Sequence, residues 1–382
     1  MPEFEFAPVD ICHVTRNQPG VVYLGTLCED GVTPAPLKEG EKYRVMIVGE
    51  SFSDEEEPCV IVTKDPLTGT ISSTCVEPSP FDCCLYQCTA TRVGEEVFVF
   101  GGCIRSSYEN TLHIYSIAKG TWREVEMGGE GPEGRCQHSA FCLGGKLYIA
   151  GGFGDNQRCT DMWCYDPETE SWTQREDPPE VVRTAATTVV GNTAHLMGCD
   201  DNDALHLTYT EAKGWKTRTL PFELMRGAAV TVGTDIHVIG GMYSREQVHV
   251  YNTKSKKWSA YPGLPVDTDA ETPARLDAGA CMLSETCMLV HGDMGTLVGT
   301  RPETKGERKQ REKREREWAV IREERERHLR EREAVLEGER QEMASVLSGI
   351  GVCADTMTLE ELRSTVLPHL ISRILALERG RK

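Results

Sequence analysis

Several things are missing from these 382 residues. No apolar run is long enough to cross a bilayer, which excludes a helical membrane span. The first residues, Met1 to Phe6, lack both a basic start and an apolar core, so they do not read as a secretory leader. No glycine-rich phosphate loop precedes a helix. Gly49 to Ser53 starts like a nucleophile elbow but lacks the closing glycine. The acidic stretch from Asp200 has Ala204 and Leu205 where a calcium loop needs its third ligand and its glycine. Cys83, Cys84 and Cys88 have no second Cys or His pair at zinc spacing. The reading is therefore no catalytic residue, no metal and no cofactor.

Positive charge is also short where a nucleic-acid binder would need it. Lys and Arg total 42 against 60 Asp and Glu, a formal net charge of −18. Residues 301–382 are nearly balanced, with 19 basic and 17 acidic residues, so the first 300 carry a net −20. Phosphates must be neutralised by cations, so neither nucleic acid nor an anionic membrane is the expected partner. The 16 cysteines are scattered through strands and loops. Without an export signal they read as reduced thiols, and the expected location is cytoplasmic.

What is present is a repeat. Val97–Gly102 is a short apolar strand ending in two glycines, and it returns at Leu147–Gly152 and Ile236–Gly241. Eroded copies end at Gly49-Glu50, Gly198-Cys199 and Gly292-Asp293. The first glycines fall at 49, 101, 151, 198, 240 and 292, a period of about 50 residues. Within the clearest unit, residues 135–173, four short strands are legible, bounded by Gly144-Gly145, Gly151-Gly152 and the turn after Asp166. Four short strands per repeat make one propeller blade. Tyr115 precedes Trp122 by seven residues, as Tyr165 precedes Trp172 and Tyr251 precedes Trp258. Each pair spans a hairpin, where its rings can pack between blades.

These glycine pairs, the Tyr/Trp pairs and Arg135 with His138-Ser139-Ala140 resemble the kelch-repeat family of β-propellers. The resemblance covers about residues 43–293. Three units match well and three are degenerate: Glu50 replaces a second glycine, Lys64 and Ile71 stand where Tyr and Trp belong, Cys199 replaces another second glycine and Trp215 stands alone, and the sixth unit has Asp293 and no Tyr or Trp of its own after it. The expected fold is all-β, a six-bladed kelch-type propeller over residues 1–300. The last unit is truncated, and one of two N-terminal strands, Phe4–Phe6 or Val21–Leu24, is expected to complete it, because an open sheet edge would otherwise result.

A long charged α-helix is expected over 303–343, with acids and bases three and four apart. Leu329, Leu336, Met343 and Ile350 are spaced by seven, but Arg325, Arg332 and Glu339 occupy the other seam position. A free-standing helix and a weak dimeric coiled coil both remain open. Residues 344–382 form a short amphipathic helical segment, with a capping box at Thr358–Glu361. The tail is expected to serve spacing or self-association as a homodimer.

The resemblance implies protein binding by loops at one end of the ring. Arginines at that place line a pocket for acidic peptides in kelch domains of BTB-type ubiquitin-ligase adaptors. The matching candidates are Arg135, Arg183, Arg226 and Arg275, which precede the first glycine of their units by 16, 15, 14 and 17 residues. They read either as a basic rosette for carboxylates or as hydrogen-bonded ties between blades. The leading expectation is a non-enzymatic scaffold for protein partners. The alternative is an enzyme, mutarotase- or oxidase-like, with a small-molecule site at the propeller mouth.

Overall fold

The computed structural model describes residues 5–9, 15–25, 41–51, 59–65, 70–76, 85–104, 107–125, 130–155, 157–199, 202–241, 247–262, 278–284, 286–292 and 295–305, with a few short pieces besides. The expected charged helix and amphipathic tail lie, but for isolated positions, outside the described residues. Two compact units divide at Glu303 and Thr304.

The first unit is all-β. Blade 1 holds strands Thr15–Tyr23, Tyr43–Ser51, Cys59–Lys64 and Ile71–Cys75. Blade 2 holds Thr89–Val93, Glu96–Phe100, Leu112–Ser116 and Thr121–Val125. Blade 3 holds Ser139–Leu143, Lys146–Ala150, Met162–Asp166 and Ser171–Arg175. Blade 4 holds Ala186–Val190, Thr193–Cys199, Asn202–Thr210 and Gly214–Thr219. Blade 5 holds Ala228–Val232, Asp235–Ile239, Gln247–Asn252 and Lys257–Pro262. Blade 6 takes Ala278–Ser284, Cys287–Gly292 and Gly295–Thr300 from one end of the sequence and Glu5–Val9 from the other. In that blade Glu5 pairs with Thr300 and Val9 with Thr296, antiparallel. Thr15–Tyr23 then opens blade 1.

The first strand of each blade touches the first strand of the next, and Ala278–Ser284 touches Thr15–Tyr23, so the ring closes. Each of six apolar clusters spans one blade boundary. Between blades 2 and 3, Phe98 lies 6.0 Å from Tyr165 and Phe100 5.5 Å from Trp172, ring centre to ring centre. Tyr165 is fully buried. The aromatic pair of each blade thus faces the blade before it, and burying such rings is a main source of the ring's stability.

Pairing register corrects two details. Tyr209 faces Trp215 with ring centres 4.9 Å apart, matching 5.0 Å for Tyr115/Trp122, 5.1 Å for Tyr165/Trp172 and 4.8 Å for Tyr251/Trp258. Trp215 therefore does not stand alone. In blade 1 the equivalent level, found by pairing from Val45, is held by Val62 and Ser73; Lys64 and Ile71 pair two residues further along.

The glycine pairs turn the chain out of the second strand. Gly151 and Gly152 have φ of 67° and 104°, and Gly151 packs on the Val182 carbonyl of the following link, leaving no room for a Cβ. Where Cys199 takes the second place, blade 4 runs its two middle strands on until Cys199 pairs with Asn202, with a bulge between Met197 and Cys199.

Candidate functional site

The second strand, the connection from strand two to strand three, and the link entering each following blade all meet at one end of the ring. Four equivalent residues there have left-handed backbones: Gln87, Gln137, Thr184 and Arg226, with φ of 57°, 58°, 56° and 60°. For residues other than glycine this conformation is strained and marks a constrained site. The constraint is visible. The Gln137 N–H donates to the Gln87 carbonyl at 3.1 Å, Thr184 N–H to Gln137 at 2.9 Å, and Arg226 N–H to Thr184 at 3.3 Å. This belt of backbone bonds ties blades 2 to 5 around the mouth of the central channel.

At the belt residues Gln87 and Gln137 the channel holds a cleft of about 700 Å³, open solvent included, lined also by Gly20, Ala90, Ala140, Ala185, Ala229 and Ala280. Small residues are needed because the inner strands crowd: a Cβ on Gly20 would sit 2.6 Å from that of Ala90. Hydroxyls link the strands from the side, with Thr187 Oγ1 donating to Ser139 Oγ at 2.9 Å and Thr188 and Thr231 sharing a 3.0 Å bond. His138 Nε2 lies 2.7 Å from Thr89 Oγ1, and burial, with Arg135 nearby, drops its pKa to about 3. A neutral, hydrogen-bonded imidazole packed edge-on to Phe100 at 5.4 Å is a strut between blades 2 and 3.

The expected arginines separate into different roles. Arg135 is buried, with 1% of its surface exposed, and all three of its guanidinium nitrogens are engaged. Nη1 and Nη2 donate to Asp161 Oδ1 and Oδ2 at 2.6 and 3.0 Å, Nη1 to the Gly151 carbonyl at 3.0 Å, and Nε to the Glu133 carbonyl at 3.0 Å. Burial would raise the Asp161 pKa, but the bonds from Arg135 and Trp163 outweigh it and hold the carboxylate below its usual range. These side-chain bonds stay within blade 3 and the link entering it, while the Arg135 backbone reaches blade 2, its N–H donating to the Glu109 carbonyl at 3.1 Å and its carbonyl accepting from the Gly102 N–H at 2.9 Å. Arg183 is half-buried, its guanidinium carbon 5.4 Å from the centre of the Phe153 ring. Phe153 meets Tyr108 edge-on at 6.0 Å, so an aromatic ledge with a cation on it borders the mouth. Arg226 is half-buried on the belt itself. Arg275 lies outside the described residues.

The arginines also stand at different backbone positions. The carbonyls of Arg135, Val182 and Leu224 each pack on the first glycine of the preceding blade and are equivalent. Arg183 is one residue further on and Arg226 two. Spacings of 16, 15 and 14 from the glycine are thus real displacements. Three of the belt residues, Gln87, Gln137 and Thr184, and the Tyr108/Phe153 ledge are what sequence reasoning missed. Their one signal was position, two residues before each inner strand.

Residues 47–219 match the family model described as the KLHDC2/KLHL20/DRC7 Kelch-repeats domain. Over those residues the ring carries kelch repeats, and as a whole it is a six-bladed β-propeller. Among curated kelch proteins, bovine Kelch domain-containing protein 2 is 32% identical over 120 residues, 30% of this chain and 30% of that protein. Human Kelch domain-containing protein 3 is 30% identical over 99 residues, 23% of this chain and 26% of that one. Acyl-CoA-binding domain-containing protein 5 of Arabidopsis thaliana is 29% identical over 119 residues, 30% and 18% of the two chains. The alignments span less than a third of each of these relatives.

Proposed function

We propose that this kelch propeller is a protein-binding scaffold that takes acidic partners at the channel mouth, through Arg183 and Arg226. The observation that carries this reading is the seating of both side chains. They are half-buried beside a rigid belt and an aromatic ledge, in a domain otherwise rich in carboxylates. A pre-ordered arginine loses little freedom when it grips a carboxylate in two-point fashion. Arg135 has no part in it, being engaged by Asp161. The scaffold reading is preferred to the enzyme reading because, among the described residues, no Asp, Glu, Lys or Arg lines the channel cleft and His138 is held neutral.

Binding of a fluorescent glutamate-rich peptide tests the proposal. Replacing Arg183 and Arg226 together by Ala should weaken it about tenfold or more, from the loss of two charged hydrogen-bonding groups, with the melting temperature little changed. Unchanged affinity overturns the reading.

The charged tail belongs to the same proposal as a spacer or self-association element. Light scattering of the full chain against one ending at Glu303 tests it, and a monomer in both cases removes the homodimer. Cytoplasmic location is likewise proposed, supported by the free thiols of ten described cysteines.

A further inference from the structure

Around the outer part of the ring one plan repeats at successive blade boundaries. The tyrosine of each Tyr/Trp pair sets its hydroxyl toward the preceding blade, beside an arginine of that blade. Arg44 lies by Tyr115, Arg123 by Tyr165 and Arg175 by Tyr209, while Arg218 Nη1 is 3.3 Å from Tyr251 Oη. Between blades 2 and 3 the arginine has acids for company. Arg123 Nη1 is 2.9 Å from Glu170 Oε1, and Nη2 is 3.9 Å from Glu96 Oε2. Between blades 3 and 4, Glu211 and Glu176 lie beside Tyr209 together with Arg175.

The boundary between blades 4 and 5 departs from this plan. Glu170 is the left-handed residue two before Trp172, with φ 50°; its equivalent two before Trp258 is Lys256, with φ 60°. Arg123 follows Trp122; its equivalent after Trp215 is Lys216. Where blades 2 and 3 hold a cation against an acid, blades 4 and 5 set cation against cation. Lys216 and Arg218 are two apart on one strand and so share a face, and all three side chains belong to exposed residues. Among the described residues none of the three makes an ion pair. Beneath them lie His195 and His206, in contact at 2.9 Å, and the charges that act on both are Arg218 and Lys256.

Like charges facing each other repel, and no acid of the described chain relieves them. Lysines act as point charges rather than two-point clamps. Three cations also exceed what one carboxylate can balance, so a phosphate group, with up to two charges and several acceptor oxygens, fits better. We propose that the boundary between blades 4 and 5 is an anion site where Lys216, Arg218 and Lys256 take a phosphate-bearing ligand, independently of the channel mouth.

The charge-reversed variant Lys256→Glu tests this, because it rebuilds the ion pair seen at blades 2 and 3 and should fold. Melting of the full chain is followed in sodium phosphate, or with inositol hexakisphosphate, against sodium chloride at matched ionic strength. The phosphates should raise the wild-type melting temperature by about 3 °C, as expected for a ligand well above its Kd. The Lys256→Glu chain should lose this increment and melt in chloride at or above the wild type. Co-sedimentation with phosphatidylcholine vesicles containing phosphatidylinositol phosphate forms the second arm. Stabilisation by soluble phosphates alone identifies a free phosphate compound as the ligand. Vesicle binding that Lys256→Glu abolishes identifies a lipid headgroup. Equal responses of the two proteins, no response in either arm, or a lower melting point of Lys256→Glu in chloride would each overturn the proposal.

Discussion

Arg135 and Arg183 show how far two arginines from similar stretches can differ in consequence. Arg135 has its hydrogen-bonding nitrogens turned inward on Asp161 and two carbonyls. Truncating it would leave the half-buried Asp161 carboxylate and the Gly151 and Glu133 carbonyls without that partner. Breaking a fully buried pair from one side costs about 3–5 kcal/mol, and this one, with Asp161 partly open to water, costs about half of that. Arg135→Ala is therefore expected to melt well below wild type, or to accumulate as insoluble chain, whereas Arg183→Ala should melt close to it. Equal melting temperatures for the two variants would show that the Arg135–Asp161 bond contributes nothing net. The distinction could not be read from the sequence. Both arginines precede a glycine by almost the same count, and a shift of one residue in an extended segment reverses the direction of the side chain.

At the scale of the blade, the boundary between blades 4 and 5 contributes a pH dependence of its own, beside that of His138 and His237. His195 Nδ1 and His206 Nε2 share one hydrogen bond, which needs one nitrogen to be without a proton. Burial, with Lys256 and Arg218 adding to it, depresses their pKa values from 6.5 to about 4 and about 3. Because the folded values lie below the unfolded one, the unfolded chain binds more protons over that interval. The contribution to stability is then whole above pH 6.5 and falls as the pH drops toward 4. By pH 5 each histidine should have cost about 2 kcal/mol. A His195→Gln, His206→Gln chain should show a flatter decline of melting temperature between pH 6.5 and 5 than wild type; an identical slope would mean that the pair does not titrate on unfolding. Legibility at this scale was uneven. The four-strand unit was plain, because alternation and glycine pairs are local. Tyr209 escaped because the blade 4 hairpin is one residue shorter, so its distance to Trp215 is six rather than seven. The histidine pair left no trace either, since His195 and His206 meet only through the strand register that sets Ala194 opposite Tyr209.

For the whole molecule the decisive place is the seam. A propeller stays round because every blade is clamped by two neighbours, and blade 6 is the one assembled from both ends of the sequence. Its outer strand, Glu5–Val9, pairs along its whole length with Gly295–Thr300, placing Ala7 opposite Val298 and Pro8 opposite Leu297. Leu297 and Val298 are buried, Leu297 in the cluster shared with blade 5 and Val298 in the one shared with blade 1. Without Glu5–Val9, Gly295–Thr300 would become an exposed edge with unpaired backbone groups, the arrangement that invites association with other chains. Pro8 also fits an outer position, since its missing N–H costs nothing on the side where no further strand pairs. Removing residues 1–9 should therefore cost about 3–5 kcal/mol from exposed apolar side chains and lost pairing. In a domain of this size that is a fall of about 6–10 °C in melting temperature. The same truncation should raise the apparent mass in light scattering as concentration rises. Adding back a peptide of residues 1–12 should restore both readings, because an edge that accepts its own strand in one chain accepts it from solution. A truncated protein that melts like the full chain and stays monomeric would show that three strands suffice for blade 6 and that the ring is held by its inner strands alone.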